Sequence, residues 1–491
     1  MKTKTKTTTK TKTKTKIYRK KTLKTHKRKT IKTHKRKIKR KRGGEDTREN
    51  ILSVSLENRE SNLAKTLNVV CRDPGNCLAF GHYSEIIKRY FDNFSNLNLV
   101  VNSDIKRIGS PSKNGFILEI PFERKGFTAL TALKCSSLSE SDNLFYEYYV
   151  GKYFINQYIN KFPCFVETYG LYTTTTPNSW QTLYDFAKNS VKQNIMNVLQ
   201  QPQSQPVNNN TTLDIKSLIS FMPQDISWND SCLKNKQICI LIQHFKNFTS
   251  LGEIYTNNKI NEVVDYPLLF YQIYFPLSVL GDTYTHYDLH ANNVFLYKPF
   301  QGKQYILMRY HTNNNTIIEF PSEYIVKIID YGRNYIKTLK TNTEELLKNE
   351  ICPSPACQPE CGALVGYNVI QGNAYDPQAQ FYDIFPNKSN VSMDLRPVLT
   401  VNQWLKDMVF NSKKTIIPFE KNFGTKEIKT GTGDPNYINN IFEMRNELEK
   451  HIPDWLQERF FQNKYNTWKK VATMDIYEDG RDMEFTLLPD I

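Results

Sequence analysis

The chain has 491 residues, 39% of them hydrophobic and 13% aromatic, which is enough for two or three domains or for one two-lobed domain with extensions. The formal charge of +17 is unevenly spread, because residues 1–42 hold 22 lysines and arginines and no acid, whereas the rest holds 44 basic and 49 acidic residues. The most apolar stretch, residues 266–280, is shorter than the roughly 20 apolar residues of a membrane span, so we expect no membrane span.

Residues 1–44 form a tail rich in Lys, Thr and Arg, in which Lys and Thr alternate and T-H-K-R-K then occurs twice. The tail has little apolar surface to bury and its charges repel one another, so it is predicted to be disordered. Such an arm is typical of binding to nucleic acid or another polyanion, and a purely solvating extension is the alternative. It lacks the apolar segment of a signal peptide, so the nine cysteines are expected in a reducing, intracellular compartment.

Residues 45–98 are predicted to form a helical leader that packs on the β-rich segment after it. Aromatic side chains are its expected core contacts, at Tyr83, Tyr90, Phe91 and Phe94.

Residues 99–245 are predicted to form a β-rich lobe. Gly109 and Gly115 stand between two strand-like runs; backbone N–H groups in such a loop can cap phosphates, and a simple hairpin turn fits equally well. The next strand, residues 127–134, reads F-T-A-L-T-A-L-K and ends at Lys134. A lysine at the end of an apolar strand is often only solvated.

A helix is predicted over residues 143–156. It holds Glu147, which lies 13 residues beyond Lys134 and is the candidate for an ion pair with that lysine. Glu140, in a Ser-rich turn, is the competing candidate.

Two further strands, residues 165–173 and residues 238–242, are predicted to complete the sheet, and the second leads into a connection at residues 243–245. Between the two strands, residues 174–236 are an insertion with a polar, low-complexity part. The insertion is predicted to be a flexible surface loop.

Residues 246–491 are predicted to form a mainly helical lobe. One helix is expected at residues 266–280, bent at Pro276. Apolar residues recur on one of its faces, at Leu269, Ile273, Leu277 and Leu280. Residues 420–491 are expected to be closing helices with a polar end.

The loop at residues 285–296, T-H-Y-D-L-H-A-N-N-V-F-L, lies between an apolar helix and a short apolar strand, where catalytic groups are usually mounted. Asp288 can accept the proton of a hydroxyl group, and Asn293, five residues on, can give an oxygen to a metal ion. Alternation along a strand would instead place His286, Asp288 and His290 together as a zinc site.

A second carboxylate, Asp330, follows a strand-like run at residues 324–329 and begins the sequence D-Y-G-R. The glycine lets the backbone turn, which suits a carboxylate that must reach a metal ion between two phosphates. A strand closed by a common turn is the alternative. The 42 residues from Asp288 to Asp330 are expected to include an extended loop near Asn313.

Three cysteines follow in a Pro-rich segment, at Cys352, Cys357 and Cys361. Their spacing allows a zinc site, but only three ligands are evident, so reduced structural thiols are the favoured interpretation.

In their order and spacing these motifs resemble those of a protein kinase. H-Y-D-L-H-A-N-N resembles the catalytic loop, D-Y-G resembles the magnesium motif D-F-G, and T-A-L-K resembles the strand motif V-A-I-K. The H-Y-D-L-H-A-N-N-V and D-Y-G-R forms look like the serine/threonine protein kinases encoded by large nucleocytoplasmic DNA viruses. The resemblance implies a two-lobed α+β fold with a β-rich small lobe and a helical large lobe. It also implies a location in the cytoplasm or nucleus of a host cell, or in a virion.

The resemblance further implies an ATP- and Mg²⁺-dependent phosphotransferase that acts on a protein hydroxyl group. Asp288 would orient the hydroxyl and accept its proton, Lys134 would contact the α- and β-phosphates, and Glu147 would pair with Lys134. Asn293 and Asp330 would hold Mg²⁺.

Further nucleotide contacts implied by the resemblance are Gly109, Gly115, Ala132, Gln243, Phe245 and Phe295. Asp394 resembles the buried aspartate that accepts hydrogen bonds from the backbone of the catalytic loop. Two positions depart from the kinase pattern. Tyr287 replaces an arginine that reads an activating phosphate, so activity is not expected to be gated in that way. His290 replaces a lysine, and H-x-D-L-H is shared with kinases of small molecules. The alternatives are therefore a small-molecule kinase, or a pseudokinase that acts as a binding or packaging protein through its basic tail.

Overall fold

The structure, a computed structural model, describes mainly residues 80–112, 115–135, 144–174, 194–200, 238–256, 265–337, 389–399 and 440–488. All of these belong to the unit that spans Arg59–Ile491. The basic tail, Glu140 and the three clustered cysteines lie outside the described residues, so what the sequence predicts for them stays a prediction. Near the start of the described part, Cys71 and Cys77 form a disulfide, a pairing that the expectation of reduced thiols did not include.

Six strands form one sheet: β1 (Lys106–Ser112), β2 (Gly115–Arg124), β3 (Phe127–Cys135), β4 (Thr168–Thr174), β5 (Leu199–Gln200) and β6 (Ile238–Gln243). They are hydrogen-bonded in the order β1-β2-β3-β6-β4-β5, and every pair is antiparallel. β5 lies inside the insertion that the sequence predicted to be a surface loop. This part of the insertion instead adds an edge strand, because Leu199 and Gln200 pair with the end of β4.

Alternate residues of the sheet contribute to two different hydrophobic cores. On β6, Ile238 and Ile240 belong to one core, whereas Cys239 and Leu241 belong to the other, as the two-residue period of a strand requires. Leu133 and Cys135 on β3 belong to the second core, so Lys134 between them points to the side of the first.

Helices cover both faces of the sheet. Helix α1 (His82–Tyr90) lies on the second core, where Tyr90, Phe91 and Phe94 are buried as expected for the leader. Helix α2 (Leu144–Tyr149) contributes to the first core and continues as a π-helical turn, Val150–Phe154. Lys134 therefore extends toward α2.

Helix α3 (Leu251–Thr256) is followed by helix α4 (Tyr266–Leu280), which contains Pro276. All but one of the 15 residues of α4 are buried, including the four residues of the predicted apolar face, so the helix is enclosed by protein on all sides. Its buried polar residue Gln272 accepts a hydrogen bond from the Val326 N–H through Oε1, at 3.0 Å.

Short strands hold the two motif-bearing loops. β7 (Phe248–Ser250), β9 (Val294–Tyr297) and β12 (Ile325–Ile328) form a sheet in the order β12-β9-β7, and β8 (Tyr284–Thr285) pairs with β13 (Tyr335–Ile336). The loop with Asp288 connects β8 to β9, and the turn with Asp330 connects β12 to β13. Since β8 pairs with β13 and β9 with β12, both ends of the two loops are held side by side.

A four-stranded sheet lies beyond them, in the order β11-β10-β18-β19. Its members are β10 (Gln304–His311), β11 (Ile317–Ser322), β18 (Lys469–Tyr477) and β19 (Glu484–Leu487). The loop expected near Asn313 is the turn of the β10–β11 hairpin. Residues 469–487 lie in the region expected to be closing helices and form strands instead, and most described residues after β18 are polar and exposed or half-buried. The described part of residues 246–491 thus holds more strand than the sequence predicted.

Two-residue strands β14 (Tyr367–Asn368) and β15 (Phe381–Tyr382) pair with each other, as do β16 (Thr415–Ile416) and β17 (Tyr437–Ile438). The later helices that the structure describes are α5 (Arg396–Leu399), α6 (Ile441–Gln457) and α7 (Arg459–Tyr465). The fold is a mixed α+β arrangement of sheets and several helices. No helix in the described part of the chain is long and apolar enough to cross a membrane.

Candidate functional site

A three-membered ion cluster lies on the α2 side of the six-stranded sheet. Lys134 Nζ is 2.5 Å from Glu147 Oε2 on α2 and 3.1 Å from Asp330 Oδ1, so the ion pair expected from the sequence forms and a second carboxylate joins it. Burial acts to lower the pKa of Lys134, but Asp330 and Glu147 outweigh it and raise this pKa above its ordinary value. Lys134 therefore stays charged.

Asp330 occupies a backbone conformation with φ 71°, which non-glycine residues rarely adopt. Burial acts to raise the pKa of its carboxyl, but the cations around it, Lys134 first among them, hold this pKa at about 2. The low pKa keeps the carboxylate ionised at neutral pH. Its side chain is 37% exposed, so a ligand can reach it.

Hydrogen bonds within residues 286–293 fold the loop back on itself. Asn293 Nδ2 donates to the Asp288 carbonyl oxygen at 2.9 Å, and the Asn293 N–H donates to the His290 carbonyl at 2.8 Å. The Asn293 carbonyl in turn accepts the Ile329 N–H at 3.1 Å. This bond ties the residue before Asp330 to Asn293, so the two predicted metal ligands lie at adjoining points of the backbone.

Asp394 fixes the start of this loop by accepting hydrogen bonds from its backbone. It is 1% exposed, and its two carboxylate oxygens accept the N–H groups of His286 (2.8 Å) and Tyr287 (3.0 Å). Tyr287 has φ 62°, a strained conformation for a bulky residue, and the bond to Asp394 stabilises it. Burial raises the pKa of Asp394 to about 7, although the two backbone bonds favour its ionised form.

His286 is fully buried and neutral, because burial lowers its pKa to about 4. Its Nε2 lies 3.0 Å from the Ile329 carbonyl and donates to it, and no described atom bonds to Nδ1. The imidazole thus supports the strand end beside Asp330. The zinc site considered for His286, Asp288 and His290 is not favoured, since the described residues contain no group of three or more His, Cys, Asp or Glu side chains that could hold a metal ion.

Asp288 is surrounded by nitrogen atoms. Arg396 Nη1 lies 3.3 Å from Oδ1, Arg333 Nη1 lies 3.7 Å from Oδ2, and His290 Nε2 lies 3.8 Å from Oδ1. Burial raises the pKa of Asp288 to about 6, against the lowering effect of the two arginines. His290 accepts the Asn292 N–H through Nδ1, and burial lowers its pKa to about 4, so it is a neutral neighbour whose Nε2 carries the proton.

The tyrosine of D-Y-G is anchored in the interior. Its hydroxyl group accepts the Val166 N–H at 2.8 Å and donates to the Ile328 carbonyl at 2.9 Å, and its ring meets that of His286 edge-on at 6.2 Å. A phenylalanine could make only the ring contact. Tyr331 therefore links the turn with Asp330 to the segment that precedes β4.

A second link runs from α2 to the loop. Tyr146, the neighbour of Glu147, donates its hydroxyl proton to the Asn334 carbonyl at 2.6 Å, and Asn334 Nδ2 donates to the His286 carbonyl at 2.7 Å. The helix that carries Glu147 is thereby bonded to the loop that carries Asp288.

Four residues of this site were missed by the sequence analysis: Tyr146, Arg333, Asn334 and Arg396. Arg333 directly follows D-Y-G and Arg396 stands two residues after Asp394, and this proximity to known motif positions is the only sequence signal for them.

Three of the expected nucleotide contacts, Ala132, Gln243 and Phe245, lie on the paired strands β3 and β6 or just after β6. Ala132 is two residues before Lys134 on β3, hence on the same face, and pairs with Ile242. Gln243 ends β6, and its N–H donates to the Glu167 carbonyl at 2.8 Å, so this amide is already bonded within the protein. Phe245 follows.

Phe295, another expected nucleotide contact, belongs to an aromatic cluster with Phe245 and Phe248. The ring of Phe295 on β9 stacks on Phe248 at 4.5 Å and meets Phe245 edge-on at 6.3 Å. Phe248 is 38% exposed, so the cluster presents apolar surface beyond the end of the sheet.

Gly109 and Gly115 lie in the β1–β2 hairpin. Their φ angles are 71° and 123°, in the region that favours glycine, and the pairing shifts register between Ile108 and Ser112. The hairpin alternative from the sequence is therefore what forms. Its contribution to phosphate binding stays a prediction.

A scan of the chain against protein-family models gives no match, and a search of curated protein sequences gives none either. The resemblance to protein kinases therefore rests on the sequence motifs described above.

Proposed function

We propose that the chain is an ATP-dependent phosphotransferase with a two-lobed, protein-kinase-like fold. The observation that carries the proposal is the ion cluster in which Lys134, on the six-stranded sheet, contacts Glu147 on α2 and also Asp330, 196 residues further along the chain. A fixed ammonium group beside an ionised carboxylate is what phosphoryl transfer needs to position and neutralise phosphate groups. Separate protein segments, 99–245 and 246–491, supply the two halves of the cluster, which supports a division into a small and a large lobe.

Asp288 acts in this proposal as the group that orients the acceptor hydroxyl and accepts its proton. Its raised pKa of about 6 leaves it ionised at neutral pH while making it a stronger base than an ordinary aspartate. The bonds from Asp394 and Asn293 fix the loop backbone on both sides of Asp288, so the carboxylate is held before substrate binds.

The donor set fits magnesium and ATP. Asp330 remains a carboxylate at neutral pH, and the amide nitrogen of Asn293 is bonded to the Asp288 carbonyl, which turns the amide oxygen the other way. These are hard oxygen donors, and Mg²⁺ usually takes only one or two protein ligands and completes its shell with phosphates and water. When bound, Mg²⁺ would screen the charge of the phosphates. Lys134 would contact the α- and β-phosphates, and Ala132 and Phe295 would offer apolar surface to the adenine.

The acceptor in this proposal is a serine or threonine hydroxyl group of a protein, and the enzyme works inside a host cell, as the resemblance to viral kinases implies. The position of His290 beside Asp288, at 3.8 Å, favours a second candidate, a small-molecule kinase of the same fold.

Transfer of labelled γ-phosphate from Mg-ATP, to the protein itself and to generic acceptor proteins, tests the proposal. Asp288→Asn and Asp330→Asn should each lower the rate about 10²-fold or more, because each removes a charge from the reacting centre. Asp479→Asn is the control: Asp479 is also an ion-paired aspartate, with Arg481 at 2.8 Å, but it is 47% exposed and lies between β18 and β19. It should leave the transfer rate within about twofold of the wild type.

Three other outcomes would redirect the assignment. Label on a metabolite and not on protein would favour the small-molecule kinase. ATP binding without any transfer would favour the pseudokinase, and absence of ATP binding would remove the proposal altogether.

A further inference from the structure

We propose that Glu119 on β2, held in place by His244, selects the base of the nucleotide by accepting a hydrogen bond from its exocyclic amino group. The preferred nucleotide is then ATP, whose adenine donates from N6, and not inosine triphosphate (ITP), whose base has a carbonyl oxygen at the same position. This inference rests on the proposed function, because it takes the face of the sheet that carries Lys134 as the nucleotide-binding face.

Glu119 lies on the same face of the six-stranded sheet as Lys134. It is paired with Ala132 across the β2–β3 ladder, and directly opposed residues of antiparallel strands have their side chains on one face. Ala132 and Lys134 are two residues apart on β3, so their side chains share that face as well. A nucleotide whose phosphates contact Lys134 and whose base contacts Ala132 therefore lies beside Glu119.

The side chain of Glu119 extends over β3 toward the connection that follows β6. Its Oε2 lies 3.1 Å from Nε2 of His244, the residue after the end of β6. β2 and β6 are the two neighbours of β3, so this bond crosses over β3, and two strand spacings are about 10 Å. The His244 N–H also donates to the Leu130 carbonyl at 3.4 Å, on the side of Ala132 away from Lys134. The carboxylate therefore lies at the end of the site where the base would bind.

Glu119 is ionised and keeps acceptor sites for a ligand. Lys106, its partner in the β1–β2 ladder, has its Nζ 3.1 Å from Oε1. Burial acts to raise the pKa of Glu119, but the bonds to His244 and Lys106 outweigh it and lower this pKa. A carboxylate has about four lone-pair sites, and its polar partners among the described residues are His244 and Lys106. An amino group of a base can therefore donate to it, whereas a carbonyl oxygen would be repelled.

Packing alone gives no reason for a carboxylate at this position. Glu119 is the only charged residue between Phe116 and Phe122 on β2, and its side chain is only 7% exposed. Replacing a buried ion pair by apolar side chains of similar size is often neutral or stabilising, so an apolar residue would serve the sheet at least as well. Exceptions to the local pattern are expected where a residue has a function.

The test measures equilibrium binding of three nucleotides that differ at position 6 of the purine: ATP, ITP, and purine riboside triphosphate, which has hydrogen there. Displacement of a fluorescent ATP analogue in the presence of Mg²⁺ gives the dissociation constants, and transfer of the γ-phosphate is followed in parallel. The proteins are the wild type, Glu119→Gln, His244→Phe and the control Glu123→Gln, which changes an exposed glutamate four residues later on β2. Thermal unfolding shows whether each variant folds.

The wild type and Glu123→Gln should bind ATP about tenfold or more tightly than the other two nucleotides, as one hydrogen bond to a charged group would produce. Glu119→Gln should bring the ratio of the ITP and ATP dissociation constants to about one, because an amide can accept from an amino group and also donate to a carbonyl. His244→Phe should lower this ratio in part. It keeps an aromatic ring beside Phe245 but removes the bond that holds the carboxylate over β3.

Equal affinity of the wild type for ATP and ITP would overturn the inference and leave the proposed function intact. An equal loss of affinity for all three nucleotides in Glu119→Gln would also overturn it, since a purely structural role would have that effect. If Glu119→Gln does not fold, an unchanged ratio in His244→Phe overturns it. Absence of nucleotide binding would remove the proposed function and this inference together, whereas selective binding without transfer would remove only the phosphotransferase.

Discussion

Asp288 and Asp394 are both buried carboxylates at the loop of residues 286–293, but they have different partners. Asp394 accepts two backbone N–H groups and is 1% exposed, whereas Asp288 faces two guanidinium groups and is 6% exposed. Burial raises the pKa of both carboxyl groups, to about 7 and about 6 respectively. Asp394 thus fixes the backbone of the loop, whereas Asp288 is the carboxylate whose protonation state can affect a bound substrate.

The rate of phosphoryl transfer should fall as the pH drops through about 6. The pKa of Asp288 is raised to about 6, so below this pH the carboxylate that accepts the proton becomes a carboxylic acid. In Arg396→Gln, a cation that lowers this pKa is lost, so the inflection should move to higher pH. The measurement is kcat/KM against pH for both proteins, with Arg481→Gln as the control. An inflection that stays in place or moves to lower pH in Arg396→Gln would contradict this account of Asp288.

Among the elements, β18 supports the strands next to the candidate site, although it is far from them in the sequence. It pairs in parallel with β10, which belongs to the hairpin inserted between β9 and β12, and β9 and β12 hold the loops with Asp288 and Asp330. Met308 and Met474 face each other across this pairing and both are fully buried. The hairpin is therefore fixed by a strand from the far end of the described chain.

Met474→Ala is expected to lower the free energy of unfolding by about 2–5 kcal/mol, because it leaves a cavity in the middle of the four-stranded sheet. Thr486→Ala on the neighbouring strand β19 is the control, since Thr486 is exposed and its loss should cost less than about 0.5 kcal/mol. Denaturant titration of both variants gives the two values. Equal stability of Met474→Ala and Thr486→Ala would show that β18 is dispensable for the fold.

Local patterns were sufficient for some of these features and not for others. The pair of Lys134 and Glu147 was predicted through the resemblance to kinases, which places the partner of the lysine on the next helix, and the structure forms it. The hydrogen bonds of Asp394 were predicted only through the resemblance to kinases, and the structure forms them. The positions of Arg333 and Arg396 depend on how distant segments fold together, which no periodicity encodes.

The largest error of the sequence analysis was to predict residues 246–491 as mainly helical, without the pairing of β10 and β18. The parallel contact of β10 with β18 joins segments more than 160 residues apart, as in the pair Arg309 and Asp475. A run such as residues 471–477 is apolar enough to be a strand, yet nothing within it specifies its partner. Helix α4 was predicted with its apolar face, which is buried, but a helix enclosed on all sides has no polar face from which its full burial could be inferred.

Charge is unevenly distributed along the whole chain, which has a strongly basic tail and a weakly acidic remainder. Residues 1–42 carry 22 of the 66 basic residues and no acid, and the remaining residues have a formal charge of −5. The basic pI of 9.2 is therefore a property of the tail and not of the part that contains the candidate site. We expect the two parts to respond differently to polyanions.

A protein without residues 1–44 should lose its affinity for double-stranded DNA and for heparin at low salt, because the remaining chain is acidic. The full chain should bind both, and its affinity should fall steeply as the salt concentration rises. A chain whose tail residues are placed in scrambled order is the control and should bind as the wild type does, since charge and not sequence is recognised. Undiminished binding by the truncated protein, measured by salt-dependent fluorescence anisotropy, would place the polyanion site elsewhere.

The pairing of β10 with β18 also imposes an order of events during synthesis. Met474 emerges from the ribosome 166 residues after Met308, and at about 5–20 residues per second this is a delay of roughly eight seconds or more. During that interval the hairpin between β9 and β12 has an unpaired edge, and the loops beside it lack their final support. A nascent chain that stops before residue 469 should therefore be a client for chaperones, and the candidate site should become functional only after nearly all of the described chain has been made.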